Sequence, residues 1–449
     1  MPRFEPFYGI RYAPSIPIGE VISPPYDIVD DAERSILAAR NSANAIHVEL
    51  PAERTGFADR YESAADIWTS WLRNGTVLYD HDPSLYVYRM TPPNGVSTIG
   101  VVGALSLEPP GDGILPHEET IPKDKTDRLE LLRHCRANIS PIWGLSLASG
   151  LGSLYAPVTS ATPAVRAVDD ESVLHELWVI SDVKVTDSIC RAVARAPVVV
   201  ADGHHRYETA LAFSEESAMS LAPATGRGTE SGLASSAVNG LAEGNGVPGY
   251  RTSIPPSDGR WRDAAPGTGA GMVMALMVEL SQDQLSVLPI HRMVSLAAPD
   301  SVSSVGLQEA FAWQFELKDI GPLSITRAME VIRGGRMAMV SQDGMWELAR
   351  RRQGSEVDSF LVGMAIQAVP KSVGCGEGID ISYTPDVARA VDAVQRKEAR
   401  FAVLMRPVTV GQIADYARRK TRMPAKSTYF WPKPRTGMVF RSLDSPSGN

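Results

Sequence analysis

Five consecutive residues, Asp202-Gly203-His204-His205-Arg206, set a carboxylate, two imidazoles and a guanidinium around a glycine. These types suit phosphate chemistry. A guanidinium grips two phosphate oxygens at once, an imidazole exchanges protons near neutral pH, and glycine lets the backbone approach a ligand closely. A second cluster, Pro116-His117-Glu118-Glu119, has adjacent carboxylates that can supply a general base or a metal ligand. A third, Lys426-Ser427-Thr428, offers an ammonium and two hydroxyls to a carboxylate or phosphate. Each has a plainer reading. Asp202 serves equally as a helix N-cap with its neighbours on a solvated face. A Glu pair ahead of a helix complements the macrodipole, and Lys-Ser-Thr makes a polar turn before an aromatic strand.

The elements around the first cluster give it a place. Ala196–Ala201 is an apolar run that predicts a buried strand, and Tyr207–Phe213 reads as the first turns of a helix. The cluster is therefore expected in a tight turn at a helix start, where N–H groups and a partial positive charge attract phosphate. Further helices are predicted over Asp30–Ala39, Phe57–Leu72, Lys125–Arg136, Pro385–Lys397 and Val410–Lys420. In the second of these, Tyr61, Ala64, Ala65, Trp68, Trp71 and Leu72 recur at helical spacing and are assigned to a core. Leu85–Met90 and Thr98–Leu107 read as an antiparallel pair. Strands are also expected near 141–147, 177–180 and 401–405. Met272–Leu280 and Ser286–Val294 read as another pair.

The chain has 449 residues, more than one ordinary core accommodates. The fold class expected is α+β (mixed α/β). Residues 1–110 form an N-terminal α+β segment, and 111–213 with 271–300 form the core around the first cluster. Residues 214–270 are a low-complexity, partly disordered insertion rich in small residues. Residues 301–449 form a C-terminal α+β region that supplies Lys426-Ser427-Thr428.

Composition narrows the function classes. Hydrophobic content of 44% and charged content of 21% are those of a soluble globular protein. A net charge of −8 argues against a sequence-independent grip on nucleic acid. Cys135, Cys190 and Cys375 are far apart and form no CxxC pair, so neither a disulfide framework nor a zinc ribbon is indicated. No signal-peptide core opens the sequence, and no apolar run is long enough to span a bilayer, so a cytoplasmic location without membrane partners is expected. There is no Walker A loop, no GxGxxG after a strand, no HExxH and no GxSxG elbow.

Several segments together resemble a prokaryotic family, the domain of unknown function 1015. They are Ser23-Pro24-Pro25-Tyr26-Asp27, Pro116-His117-Glu118 through Arg128–Arg133, Val200-Ala201-Asp202 through Leu211, Leu288–Arg292, Gly378–Thr384, and Pro424 to Pro432. More distantly, the order of Pro-His-Glu, Asp-Gly-His-His-Arg and a late Pro-Lys-Thr-Thr element is similar to that of the free-serine kinases of the ParB/sulfiredoxin superfamily. Here the last element reads Pro424-Ala425-Lys426-Ser427-Thr428, with an inserted alanine and a serine for threonine.

That resemblance implies a ParB/sulfiredoxin-like catalytic core and a nucleotide-dependent phosphotransferase interconverting free L-serine and O-phosphoserine, with Mg2+ and ATP or ADP. It implies Glu118 as the base for the serine hydroxyl, and Asp202 and His205 beside the transferring phosphoryl group. Gly203, His204 and Arg206 would lie at the nucleotide phosphates, and Lys426, Ser427 and Thr428 at the amino acid. No metal ligand is assigned. A phosphoserine phosphatase using water, or a nucleotide-binding ParB-like regulator without catalysis, are the alternatives. A sulfiredoxin-like redox role would need a cysteine where His204 stands.

Overall fold

The computed structural model describes residues 1–93, 95–119, 125–221, 250–251, 268–281, 285–296, 303–373 and 378–444. Most of the predicted insertion 214–270, and Cys375, lie outside them. The chain divides into two compact units. One comprises Met1–Leu115, Pro122–Leu280 and Pro432–Asn449; the other comprises Pro116–Ile121 and Ser281–Trp431. Both mix helices and sheets, the mixed α/β character expected from the sequence.

The first unit is built on a nine-stranded sheet. Along it run Ile114–Pro116, Val198–Asp202, Ile142–Ser146, Met272–Glu279, Thr98–Ser106, Leu85–Thr91, Leu174–Ile180 and Val165–Val168, with Phe4–Glu5 paired to Thr98–Ser106. The predicted Leu85/Thr98 hairpin is present, with Tyr86 opposite Val102 and Met90 opposite Thr98. Val198–Ala201 are all buried, so this strand reads as an unbroken apolar run instead of an alternating one. Its Val198 and Val200 share a core with Ile142, Tyr207, Ala210 and Phe213. The helix that follows is thereby laid back against the sheet.

A second, five-stranded sheet carries Gly9–Tyr12 between Val77–Asp80 and Phe440–Ser442. The helix Arg60–Asn74 covers it. Asp59 caps this helix by accepting the Tyr61 and Glu62 N–H groups, and Gly75 ends it at φ +75°. Trp68 and Trp71 are buried as predicted, their rings against Phe440 and Tyr12.

The second unit is a six-stranded sheet with helices on both faces. Its order is Phe315–Gly321, Gly344–Arg350, Met337–Ser341, Phe401–Leu404, His291–Leu296 and Ile379–Thr384. Alternation along the central strands sorts the two faces. Met337, Met339, Phe401 and Val403 pack with residues of the helices Ser304–Ala312 and Asp358–Val373. Ala338, Val340, Ala402 and Leu404 pack with those of Ile325–Arg333 and Val387–Gln395.

Two sequence expectations are corrected. Met272–Leu280 and Ser286–Val294 do not pair. Met272–Glu279 finds partners on both edges, antiparallel to Thr98–Ser106 and parallel to Ile142–Ser146. Pro289 lacks a donor and divides the later run. Ser286–Leu288 then pairs with Tyr429–Trp431, and His291–Leu296 lies between Ile379–Thr384 and Phe401–Leu404. The helix after Asp202 also begins at His204 and runs to Leu221, past the compositional change at Ser214. Glu215, Glu216, Ala218 and Met219 are good helix formers and carry it on. Among the described residues, no helix is long and apolar enough to cross a membrane.

Candidate functional site

Asp202 ends its strand, Gly203 alone makes the joint, and His204 starts the helix. Two facts favour glycine at the joint. Its φ is +81°, and a Cβ there would meet the Arg206 guanidinium at 3.1–3.2 Å. His204, His205 and Arg206 therefore form the first helical turn, where the sequence suggested a preceding loop. All five residues from 202 to 206 are half-buried.

Asp202 is held between two cations. The Lys433 ammonium donates to Oδ1 at 2.5 Å and Arg206 Nη2 donates to Oδ2 at 3.2 Å. Burial alone would raise the Asp202 carboxyl. The Lys433 ammonium and the Arg206 guanidinium outweigh it and hold the group far below the usual carboxylate range. Arg206 also donates through Nη1 to Ser140 Oγ at 3.0 Å and to the Pro141 carbonyl at 2.6 Å. Its Nε is buried without a hydrogen-bond partner.

A further layer orients this arginine. Ser140 Oγ donates to Glu49 Oε1 at 2.9 Å, and Arg128 lies 4.2 Å from the Tyr26 ring centroid. The Arg206 guanidinium lies 5.9 Å from the same ring, and burial pushes the Tyr26 hydroxyl up to about 12. A cavity of about 50 Å³ adjoins this layer, with Glu49, Arg128, Ser140, Arg206 and Thr209 on its wall.

Lys433 was missed by the sequence reading. Its backbone is fixed by flanking Pro432 and Pro434, and by a buried network two residues on. Arg435 Nε donates to Asp169 Oδ2 at 2.6 Å, and the Arg435 N–H donates to Tyr88 Oη at 3.1 Å. His175, wholly buried, bridges Tyr88 and Asp169 at 2.7 and 2.8 Å. Burial would raise Asp169, but His175 and Arg435 hold it at about 2. A lone lysine between two prolines in a tail of basic and hydroxyl residues was the available signal.

The second unit gathers the other two clusters. Glu118 forms a parallel bridge with Met423, and the carboxylate meets the turn that follows. Its Oε2 accepts the Lys426 N–H at 2.9 Å. Its Oε1 accepts the N–H groups of Ser427 and Thr428 at 3.2 and 2.8 Å, and the Thr428 hydroxyl at 2.7 Å. Lys426 adopts φ +58°, a left-handed conformation that favours glycine, and so brings successive N–H groups to one side.

Thr428 Oγ1 also lies 3.1 Å from His117 Nε2. The hydroxyl has one proton, given to Glu118, so His117 carries its proton on Nε2 in this arrangement. Ser427 Oγ donates to the Pro424 carbonyl at 2.6 Å and lies 2.7 Å from Ser359 Oγ. Lys426 is exposed and Glu119 faces solvent. Arg292 is buried nearby, and Glu118 is among the groups whose charge acts on it.

Thus Asp202–Arg206 cluster with Lys433 in one unit, and Glu118 clusters with Lys426, Ser427 and Thr428 in the other. Both Asp202 oxygens are engaged by cations, and no group of three His, Cys, Asp or Glu that could hold a metal gathers among the described residues. At the Arg206 turn a buried guanidinium N–H lacks an acceptor, and a phosphate oxygen is an acceptor of the kind that would pair it.

A family model described as protein of unknown function (DUF1015) matches residues 4–237. No curated protein matches the sequence. Among solved structures, a free serine kinase in complex with AMP is similar at 10% identity and a TM-score of 0.33, over 71% of this chain and 83% of that one. C-terminally truncated SbnI from Staphylococcus aureus is similar at 11% identity and a TM-score of 0.35, over 75% and 86%. A conserved hypothetical protein from Pyrococcus furiosus is similar at 10% identity and a TM-score of 0.34, over 74% and 92%.

Proposed function

The chain belongs to the family described as protein of unknown function (DUF1015), a description that assigns no chemistry; from the resemblance of its motifs to those of free-serine kinases, together with the geometry of its own residues, we propose a nucleotide-dependent phosphotransferase that interconverts free L-serine and O-phosphoserine on a ParB/sulfiredoxin-like core. The observation that carries this reading is the Asp202–Arg206 joint. A half-buried carboxylate sits between the Lys433 and Arg206 cations at a helix start, with a buried guanidinium N–H unsatisfied. Such a cluster suits phosphate oxygens because the Arg206 Nε–H still lacks an acceptor and the helix start adds a partial positive charge.

In this reading Arg206 and His204 hold the nucleotide phosphates. Asp202 keeps the two cations in place, and His205 lies beside the transferring group. Glu118 takes the proton of the serine hydroxyl as its oxygen bonds to phosphorus and the bond from phosphorus to the departing nucleotide phosphate breaks. Ser427 and Thr428 orient the amino acid. Phosphoryl transfer asks for alignment and charge neutralisation more than covalent chemistry from the protein.

The test is direct. Purified protein is incubated with magnesium and O-phosphoserine, with and without ADP, and separately with serine and ATP. Serine formed only with ADP, or phosphoserine formed from serine and ATP, supports the transferase. Serine formed without ADP identifies the phosphatase. No conversion in any arm sinks both.

A further inference from the structure

We propose that the backbone of the Lys426–Thr428 turn is a receptor for a small oxyanion and that Glu118 is its built-in occupant, displaced when the carboxylate or phosphate group of a ligand arrives. Its consequence for catalysis, that Glu118 becomes a usable base only once displaced, rests on the phosphotransferase reading above.

The donors are of an unusual kind. Three consecutive backbone N–H groups and one hydroxyl converge on a single side-chain carboxylate. Successive N–H groups around a left-handed residue form a concave nest for anions. Lys426 is not glycine, so its positive φ carries a strain of roughly 1–3 kcal/mol that the surrounding contacts must offset. The nest would offer the same donors to any oxyanion that replaced the Glu118 carboxylate.

Occupancy also silences the base. A carboxylate whose oxygens already accept four hydrogen bonds has little capacity left for an incoming proton. Glu118 is thus protected from acting before a ligand is seated, which is how an enzyme limits wasteful hydrolysis.

Charge selects the ligand class. Arg292 is buried, with its Nη1 donating to the Ile290 carbonyl at 3.3 Å, and it feels the Glu118 charge. A neutral ligand that expelled Glu118 would strip this guanidinium of a compensating anion, at a cost in the buried setting. An oxyanion replaces one negative charge by another. His117 and Thr428 then keep their present relation, the hydroxyl donating to the new occupant.

The experiment measures binding to the full chain by calorimetry, with inorganic phosphate, acetate, L-serine and O-phosphoserine as probes. The Glu118→Ala protein lacks the resident competitor and is expected to bind phosphate or O-phosphoserine at least about tenfold more tightly, since wild type is binding-competent only when Glu118 is out. Glu119→Ala removes a neighbouring exposed carboxylate and is expected to leave affinity unchanged, which separates displacement from a general change of charge. If Glu118→Ala does not fold, Glu118→Gln gives the same direction, because a neutral occupant holds the N–H groups less strongly.

In wild type, the amide resonances of Ser427 and Thr428 in selectively labelled protein are expected to shift with the probe that binds. Response to phosphate assigns the nest to a phosphate group; response to acetate and serine assigns it to the α-carboxylate. Equal or weaker binding in the folded Glu118 variants, or unmoved amides at saturating probe, overturns the proposal. Tighter binding without serine phosphoryl transfer would reject the phosphotransferase while leaving the nest intact. Transfer without tighter binding would reject the nest alone.

Discussion

Two half-buried acids in this protein are held by opposite means. Asp202 is gripped by the side chains of Lys433 and Arg206, Glu118 by the backbone N–H groups of residues 426–428. Side-chain cations keep their charge when they exchange one anion for another, and they swing to follow it. A backbone nest is fixed by φ and ψ and offers hydrogen bonds without a formal charge. The first arrangement suits a phosphate that arrives and departs. The second suits a carboxylate or phosphate placed with little freedom, and it explains why a non-glycine residue tolerates φ +58°.

The contrast is tested most severely by activity. Glu118→Gln and His205→Ala should each lower turnover by about 10²- to 10⁴-fold, the range that positioned acid–base groups supply, with unchanged circular dichroism. Loss of fold instead would make these residues structural.

Next in size is the cation on Asp202. Lys433→Met leaves a half-buried carboxylate with one partner and should cost up to about 3 kcal/mol in denaturant unfolding. Lys433→Arg should recover much of it. Adding Asp202→Asn to Lys433→Met should make the protein more stable than the single variant, because the uncompensated charge is gone.

Acid separates the units by residue. His291 accepts the Met405 N–H at 3.0 Å, and burial lowers it to about 4. The folded state therefore resists protonation that the unfolded chain accepts. Its contribution is complete above about pH 6.5 and falls as pH drops toward 4, by about 3 kcal/mol in all. His175 in the other unit is also lowered by burial, so the quantity to measure is the difference between wild type and His291→Gln across that window. Asp169 acts lower still. Held at about 2 by His175 and Arg435, it contributes stability above pH 4 that disappears toward pH 2, about 2 kcal/mol. Asp169→Asn should flatten that last stretch.

The smallest effect expected is at the nest. Thr428→Val removes one hydroxyl donor to Glu118 and should cost about 1–2 kcal/mol of stability. A loss no larger than this would show that the backbone supplies most of the hold.

Local pattern made much of this legible. The buried run at Val198–Ala201 announced its strand, helical spacing announced Trp68 and Trp71 as core, and residue type alone marked Asp202–Arg206 and Glu118 for attention. What failed was pairing. Met272–Glu279 was matched with the wrong partner because strand pairing depends on edges more than a hundred residues away, and nothing in an apolar run says which edge is free.

Lys433 shows the same limit at the site. Its type and flanking prolines were visible, but its partner, Asp202, lies 231 residues earlier in the chain. The nest was less visible still. Lys426, Ser427 and Thr428 were read for their side chains, whereas the structure engages their N–H groups, which every non-proline residue possesses. The sequence on its own determined which groups can carry charge and protons and which segments are helix or strand, because those follow from side-chain chemistry and short-range periodicity. Folding in three dimensions chose the partner of each charge, because burial and long-range strand order decide which donors and acceptors meet.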